Sequence, residues 1–199
     1  MKIIEPGFFN RNKKLLLIAL AIFLVSAIAS AVIANIHAGD NVNAISNHLS
    51  QLDKNQTSEN SNSLGLYSVH LFTHNFLADM VTVIGGVSFS IISVLIVVFN
   101  GFTIGNPFGF DFTFACVSIL PHGIIEYAAI VFALGAAFLI TKLELAIIKN
   151  RKFKDTLNDN RVILNDLLTM IIIMVVLLAV AAIIEAHLTP LISTWYFGL

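Results

Sequence analysis

Long apolar runs alternate with short polar ones along this chain. Residues 15–38 are apolar and free of charge. A second apolar stretch lies within 71–105 and is densest at 80–99; a clean run covers 124–141, and the last long run covers 162–184. A helix of about 20 residues crosses a hydrocarbon core, so the pattern predicts membrane-spanning helices. Three polar segments separate them: a tail at 1–14, an Asn-, Ser- and Asp-rich stretch at 39–70, and a basic stretch at 142–161. Between Asn100 and Gly105 the sequence Asn-Gly-Phe-Thr-Ile-Gly reads as a junction rich in helix breakers. Residues 106–120, with Pro107, Gly109 and Asp111, read as short and irregular.

Within 39–70, Ile45, Leu49 and Leu52 recur at helical spacing and predict a short amphipathic helix. Asn55-Gln56-Thr57 fits the glycosylation acceptor pattern, a triplet common by chance. Ala29-Ser30-Ala31 resembles a signal-peptide cleavage site. The apolar run that contains it is longer than the ~7–15 residues of a signal core, which favours an uncleaved anchor.

Composition agrees with the pattern. Of 199 residues, 57% are hydrophobic and 12% charged. A soluble domain carries about 25% charged residues, so this chain cannot cover a water-facing surface of its size. A net charge of −1 supplies no basic field, and nucleic acid is not expected as a partner. Cys116 is alone, which excludes a disulfide scaffold; it reads as a small buried hydrophobe. The expected class is an all-α polytopic membrane protein.

The cations orient it. Four of the eleven Lys and Arg lie in 1–14 and six in 142–161, leaving Lys54. The positive-inside rule places both clusters in the cytoplasm, so an even number of crossings separates them. The 15–38 and 80–99 spans use two. The stretch 102–141 then enters and returns as two thin spans or a re-entrant hairpin tipped by Pro121-His122-Gly123, buried against protein. The last run leaves the C-terminus outside, near an aromatic end at Trp195-Tyr196-Phe197. The expected architecture is five membrane segments including a short broken or re-entrant hairpin. Its parts are a cytoplasmic tail 1–14, a first transmembrane helix 15–38, an extracytoplasmic loop 39–70, and a helical membrane domain 71–199 with a cytoplasmic loop 142–161.

Small residues fall four apart on helical faces: Ser26, Ser30 and Ala34; Ala27 and Ala31; Gly86 and Ser90; Ala129, Ala133 and Ala137. Such stripes let helix backbones approach, which matters where lipid provides no hydrophobic drive for association. Packing within the chain is the first explanation and a subunit interface the second.

Polar residues at membrane depth carry the chemistry, because a charge at a helix centre costs about 2.5–3.5 kcal/mol on insertion scales. Here they are Asp111, His122, Glu126 and Glu185. His122 and Glu126 share a helix face at i, i+4. Glu185 ends the last run at a similar depth, and His187 joins it only through a distortion past the helix end. Asn75 and Asp79 approach the same level. Three roles compete: interhelical hydrogen bonding, a proton or ion path, and a metal site. For a metal, two ligands are too few to be specific. No HExxH, GxSxG or ExxH pairing supports a hydrolase.

These residues resemble a known family. The series Asn75, Gly85-Gly86, Asn100-Gly101-Phe102-Thr103-Ile104-Gly105, Leu120-Pro121-His122-Gly123-Ile124-Ile125-Glu126, Ala133, Ala181-Ala182-Ile183-Ile184-Glu185-Ala186 and Thr189-Pro190 is similar to the stage II sporulation protein M family. The Pro-His-Gly-xx-Glu segment is the most specific piece. Residues 135–142, Gly-Ala-Ala-Phe-Leu-Ile-Thr-Lys, depart from the family's Gly-Leu-Arg-rich stretch. The resemblance implies a non-enzymatic membrane protein that holds envelope partners at a membrane, in organisms that include non-sporulating bacteria and archaea.

The expected function is therefore a small integral scaffold or assembly protein of the cell membrane, without catalytic residues or a cofactor. Its partners are membrane lipids, further copies of itself and other membrane or envelope proteins. The alternative is ion or solute transport through intramembrane carboxylates; no internal repeat supports it. The functional centre is expected at Pro121, His122, Gly123, Glu126 and Glu185, supported by Asn75, Asp79, Asn100, Gly101, Gly105, Asp111 and His187. In that reading Pro121 opens a helix, Gly123 admits another backbone, and the unpaired first amides receive a carboxylate. Glu185 is the first candidate for that carboxylate and Asp111 the second.

Overall fold

The computed structural model describes residues 5–37, 64–151 and 153–198. Every element in them is helical: α1 (Phe8–His37), α2 (Leu64–Ile84), a 3-10 turn (Gly85–Ser88), α3 (Ile91–Phe110), α4 (Phe112–Ser118), α5 (Leu120–Asn150), α6 (Phe153–Asp159), α7 (Arg161–Ile183), a π-helical turn (Ile184–Leu188) and α8 (Thr189–Phe197). Among the described residues, four helices are long and apolar enough to cross a membrane: α1, α3, α5, and the continuous helical stretch Arg161–Phe197. The amphipathic helix expected at 45–52 and the acceptor triplet at 55–57 lie outside the described residues.

Two expectations about the second span need correction. The apolar run 80–99 is not one helix. It breaks at Gly85–Ser88, and Phe89 (φ 52°) and Ser90 (φ 59°) take the left-handed conformation. A β-carbon on Gly86 would lie 2.7 Å from the Ala137 carbonyl oxygen, so the turn seats against α5 only because residue 86 has no side chain. Hydroxyls take up the carbonyls that the break frees: Ser93 donates to Thr82 O at 2.7 Å, Thr141 to Gly86 O at 2.9 Å, and Ser88 to Gly85 O at 2.6 Å. Gly86 and Ser90 thus belong to a turn and share no helix face. Conversely, 100–110 is continuous helix, and residues 112–118 form α4.

The helix through 100–110 follows from packing. Gly101, Gly105 and Gly109 lie on one buried stripe of α3, with Ser93 and Val97 on the same side. That stripe meets the buried face of α1, which carries Ser26, Ser30 and Ala34. β-carbons built on the three glycines would fall 2.0–2.1 Å from Ser26 Oγ, Ala27 O and Ala31 O. The backbones therefore nearly touch, as small residues permit in membrane helices. Ser30 Oγ donates to Phe102 O at 2.5 Å across the same seam. The serine–alanine stripe of α1 thus packs within the chain.

Those contacts fix direction. Residues 26–31 of α1 meet 101–109 of α3 in ascending order, so the two helices are parallel. Asn75 meets Glu126 while Gly86 meets Ala137, so α2 is parallel to α5. Gly135 meets Met170 while His122 meets Thr189, so α5 and α7 are antiparallel. Helix α5 is the axle. Its Ala129, Ala133, Ala136 and Leu139 pack with Met170, Met174 and Leu178 of α7 and with Val83 of α2; its Ile130, Leu134 and Ala137 pack with Ala19 and Phe23 of α1 and Val97 of α3.

The termini of the expected segments also shift. Helix α1 starts at Phe8, so Arg11, Lys13 and Lys14 belong to the helix and not to a tail. Arg11 Nε and Nη2 donate to both Asp166 oxygens at 3.0 and 2.7 Å, and Asn12 Nδ2 adds a third donor at 2.8 Å. This pairing ties α1 to α7 at one end of the bundle. Residues 64–70 form the first turns of α2, and 142–150 complete α5, so the two polar segments at 39–70 and 142–161 are partly helical. Cys116 is half-buried.

Candidate intramembrane polar site

The site lies at the end of the bundle opposite Arg11 and Asp166. Its foundation is the start of α5, where Leu120 opens the helix and Pro121 occupies its first turn. Proline fits there because its missing N–H has no intrahelical partner to lose. Four and five residues beyond His122, Glu126 and Tyr127 follow on the same helix. His122 is buried and Glu126 half-buried.

The last run supplies Glu185 through a local irregularity. At Ile184–Leu188 the helix widens to a π turn, and Thr189 N–H bonds Ile184 O, five residues back. Pro190, next in line, has no N–H to give to the preceding turn. The widened turn rotates Glu185 and Thr189 together toward α5. His122 Nδ1 lies 3.1 Å from Thr189 Oγ1, and His122 Nε2 lies 4.0 Å from Glu185 Oε1. One nitrogen of His122 and one oxygen each of Glu126 and Glu185 all fall within 4.8 Å of one another. From α2, Asn75 Nδ2 donates to Glu126 Oε1. Asp79 follows one turn along α2; it is 3% exposed, its charge acts on Glu126, and its Oδ2 is buried with no hydrogen-bond partner.

Five of the residues expected from the sequence thus converge: Asn75, Asp79, His122, Glu126 and Glu185. The rest do other work. Asn100, Gly101 and Gly105 lie on α3, where the two glycines seat α1. Asp111 is exposed and caps α4, its Oδ1 accepting from Phe114 N–H at 2.9 Å. His187 is exposed, with Nδ1 3.1 Å from Ile183 O, so the distortion that brings in Glu185 leaves His187 outside. Gly123 does not admit a foreign backbone. A β-carbon there would lie 2.6 Å from the Tyr127 hydroxyl, so the glycine makes room for a ring one turn along its own helix. Nor do the first amides of α5 await a carboxylate. Ile119 N–H bonds Ala115 O at 3.0 Å and Gly123 N–H bonds Ile119 O at 2.9 Å, so the Gly123 amide is taken by the turn that joins α4 to α5. Glu185 meets the His122 ring instead.

Three contributors were not singled out beforehand as site residues. Thr189 orients His122; its only signal was its place in the Thr189-Pro190 pair. His74, exposed on α2, acts electrostatically on Glu185. Tyr127 stacks on Phe23 of α1 at 5.1 Å between centroids and carries a buried hydroxyl without a hydrogen-bond partner.

The chain belongs to the Stage II sporulation protein M family, whose pattern it matches over residues 19–190, from within α1 to Pro190. It is also 25% identical over 155 residues to an uncharacterized protein of Methanocaldococcus jannaschii, covering 75% of this chain and 85% of that one. No solved structure matches it.

Proposed function

We propose that this family member is a non-enzymatic assembly protein of the cell membrane, a rigid frame that binds further copies of itself and organises other membrane or envelope proteins. One observation carries the reading. Between the polar site and the Arg11–Asp166 end, Ala129, Ala133, Ala136, Met170 and Met174 are all fully buried and pack as one apolar cluster. Dense packing of this kind suits a frame, and a conduit needs a wetted path through it. The family name and the small polar segments, 32 residues at 39–70 and 20 at 142–161, support the same reading, since little chain is left for an extramembrane domain.

In this proposal α1, α3 and α7 cross in one direction and α2 and α5 in the other, which makes five crossings; α3, α4 and α5 form the broken hairpin. The N-terminus is cytoplasmic and the C-terminus extracytoplasmic. Support comes from Lys13, Lys14, Lys142, Lys149 and Arg151, which the helix directions gather at one end of the bundle.

Cross-linking and affinity purification from native membranes test the assembly role. Specific membrane or envelope proteins should be recovered with the wild type, and fewer with Glu126→Gln or His122→Ala, while Asp53→Asn behaves as wild type. Recovery of lipid and self-contacts alone refutes the role. The unpartnered Asp79 favours one second reading, cation transport. Proton or cation flux in liposomes that Glu126→Gln abolishes would replace the assembly role with that one.

A further inference from the structure

We propose that His122, Glu126 and Glu185 form a binding site for a divalent transition-metal cation. The donor set is the first argument. One imidazole nitrogen and two carboxylate oxygens lie within 4.8 Å of one another, supplied by α5 at i and i+4 and by the π turn. Imidazole together with carboxylates suits zinc and its first-row neighbours, whereas magnesium and calcium take oxygen ligands.

The second argument is what stands behind two of the three donors. A metal-bound histidine normally gives its other ring N–H to a fixed acceptor, and ligating carboxylates are themselves hydrogen-bonded. Here His122 Nδ1 is 3.1 Å from Thr189 Oγ1, and Glu126 Oε1 accepts from Asn75 Nδ2. With Nδ1–H donated to Thr189, the lone pair of Nε2 faces Glu185 Oε1 across 4.0 Å. Two lone pairs facing each other at that distance are the arrangement that a shared cation satisfies.

Charge is the third argument and is independent of the donor geometry. Asp79 and Glu185 both act on the charge of Glu126, and the groups of opposite character that reach the three acids among the described residues are His122, 4.0 Å from Glu185, and the exposed His74, which also acts on Glu185. Asp79 is nearly inaccessible and one of its oxygens has no partner. Three buried acids are costly to ionise in so apolar a setting, and a divalent ion bound among them offsets that cost. Three protein ligands leave a coordination position for water or for a side chain from a partner. Bonds of about 2.0–2.1 Å in a tetrahedron set ligands roughly 3.3 Å apart, so loading draws the three side chains together by about an ångström.

The test uses the full chain purified in detergent, stripped with chelator and reloaded with Zn2+ or Co2+. Expected are one Zn2+ per chain by elemental analysis and the visible absorption of low-symmetry Co2+. Glu185→Gln and His122→Ala should lose the stoichiometric ion. Thr189→Val keeps all three ligands and should weaken binding by about 10–100-fold, which preserves the test if a ligand variant fails to fold. His187→Ala should load as wild type. The proposal is overturned by a wild type that takes up no stoichiometric Zn2+, by equal loading of Glu185→Gln or of Thr189→Val, or by loss of binding in His187→Ala.

Discussion

The contact between α1 and α3 permits a quantitative test at Gly105. A methyl group there would lie 2.0 Å from the Ala27 carbonyl oxygen, 2.7 Å from its carbon and 2.8 Å from the Ala27 Cα. All three are backbone atoms, so no side chain can swing aside. Ordinary contact begins at 3.4 Å, which requires the helices to part by about 1.4 Å. The Ser30–Phe102 hydrogen bond, now 2.5 Å, then passes out of range, and the seams at Gly101 and Gly109 open with it. Overpacking of this kind costs about 1–3 kcal/mol, and an interhelical hydrogen bond in a membrane about 0.6 kcal/mol. Alanine's better helix propensity returns roughly 0.5–1 kcal/mol. Gly105→Ala should therefore destabilise the protein by about 2 kcal/mol, dominated by the overpacking. The assay is equilibrium unfolding in mixed detergent micelles followed by circular dichroism. The control is Gly65→Ala, where nothing stands within 4 Å of the added carbon; that variant should be neutral or slightly stabilised. A Gly105→Ala protein as stable as wild type, or an equally damaged Gly65→Ala, refutes the reasoning.

At the other end, Asp166→Ala removes the acceptor of Arg11 and Asn12 together and should cost about 2–3 kcal/mol, read as a lower unfolding temperature. Glu5→Ala, which loses only a 3.7 Å exposed contact with the same arginine, should cost far less; equal effects remove Asp166 from that role. For orientation, in a Cys116→Ser background, Lys54→Cys should react with an impermeant maleimide on intact cells and Asp159→Cys only after permeabilisation. The reverse pattern inverts the proposed topology.

Much of the architecture was legible because membrane helices are long and their cost rules are simple. The apolar runs found α7 within one residue at each end and the middles of α1 and α5, whose helices run on into the polar segments beside them, back to Phe8 and on to Asn150. The second span went astray for a definable reason. Hydropathy measures the side chains, and Ile84, Val87, Phe89, Ile91 and Ile92 are apolar on either side of the turn, so the break is invisible to it. What makes the break is Gly86 against Ala137 and the hydroxyls of Ser93 and Thr141 that answer to carbonyls, all of which depend on tertiary contact. The opposite error at 100–110 has the same origin. Glycine and proline weaken a helix in water, yet Gly101, Gly105 and Gly109 are what allow α3 to be a helix beside α1. In lipid, a glycine four residues from another glycine is better read as a contact surface than as a breaker.

The candidate site divides along a similar line. Cost singled out side chains that the fold brings together: a histidine and two glutamates have little reason to lie at membrane depth unless they serve one another or a ligand, and His122, Glu126 and Glu185 do converge. Cost did not identify how they converge. The reading in terms of helix amides needed a free helix start, and the Gly123 amide is already bonded to Ile119 O. The route actually taken runs through Pro190, whose missing N–H goes with a π turn that rotates Glu185 and Thr189 inward and His187 outward. Sequence spacing alone treats Glu185 and His187 as neighbours of equal standing; the widened turn separates them. Thr189, which no cost rule would select, is the residue that decides which nitrogen of His122 faces the carboxylates. The same logic explains why the site is a better guide to chemistry than any single motif in it. Pro121 opens the helix that carries the ring, the π turn places Glu185, Thr189 holds His122 and Asn75 holds Glu126 from behind, and one turn along α2 the buried Oδ2 of Asp79 has no hydrogen-bond partner.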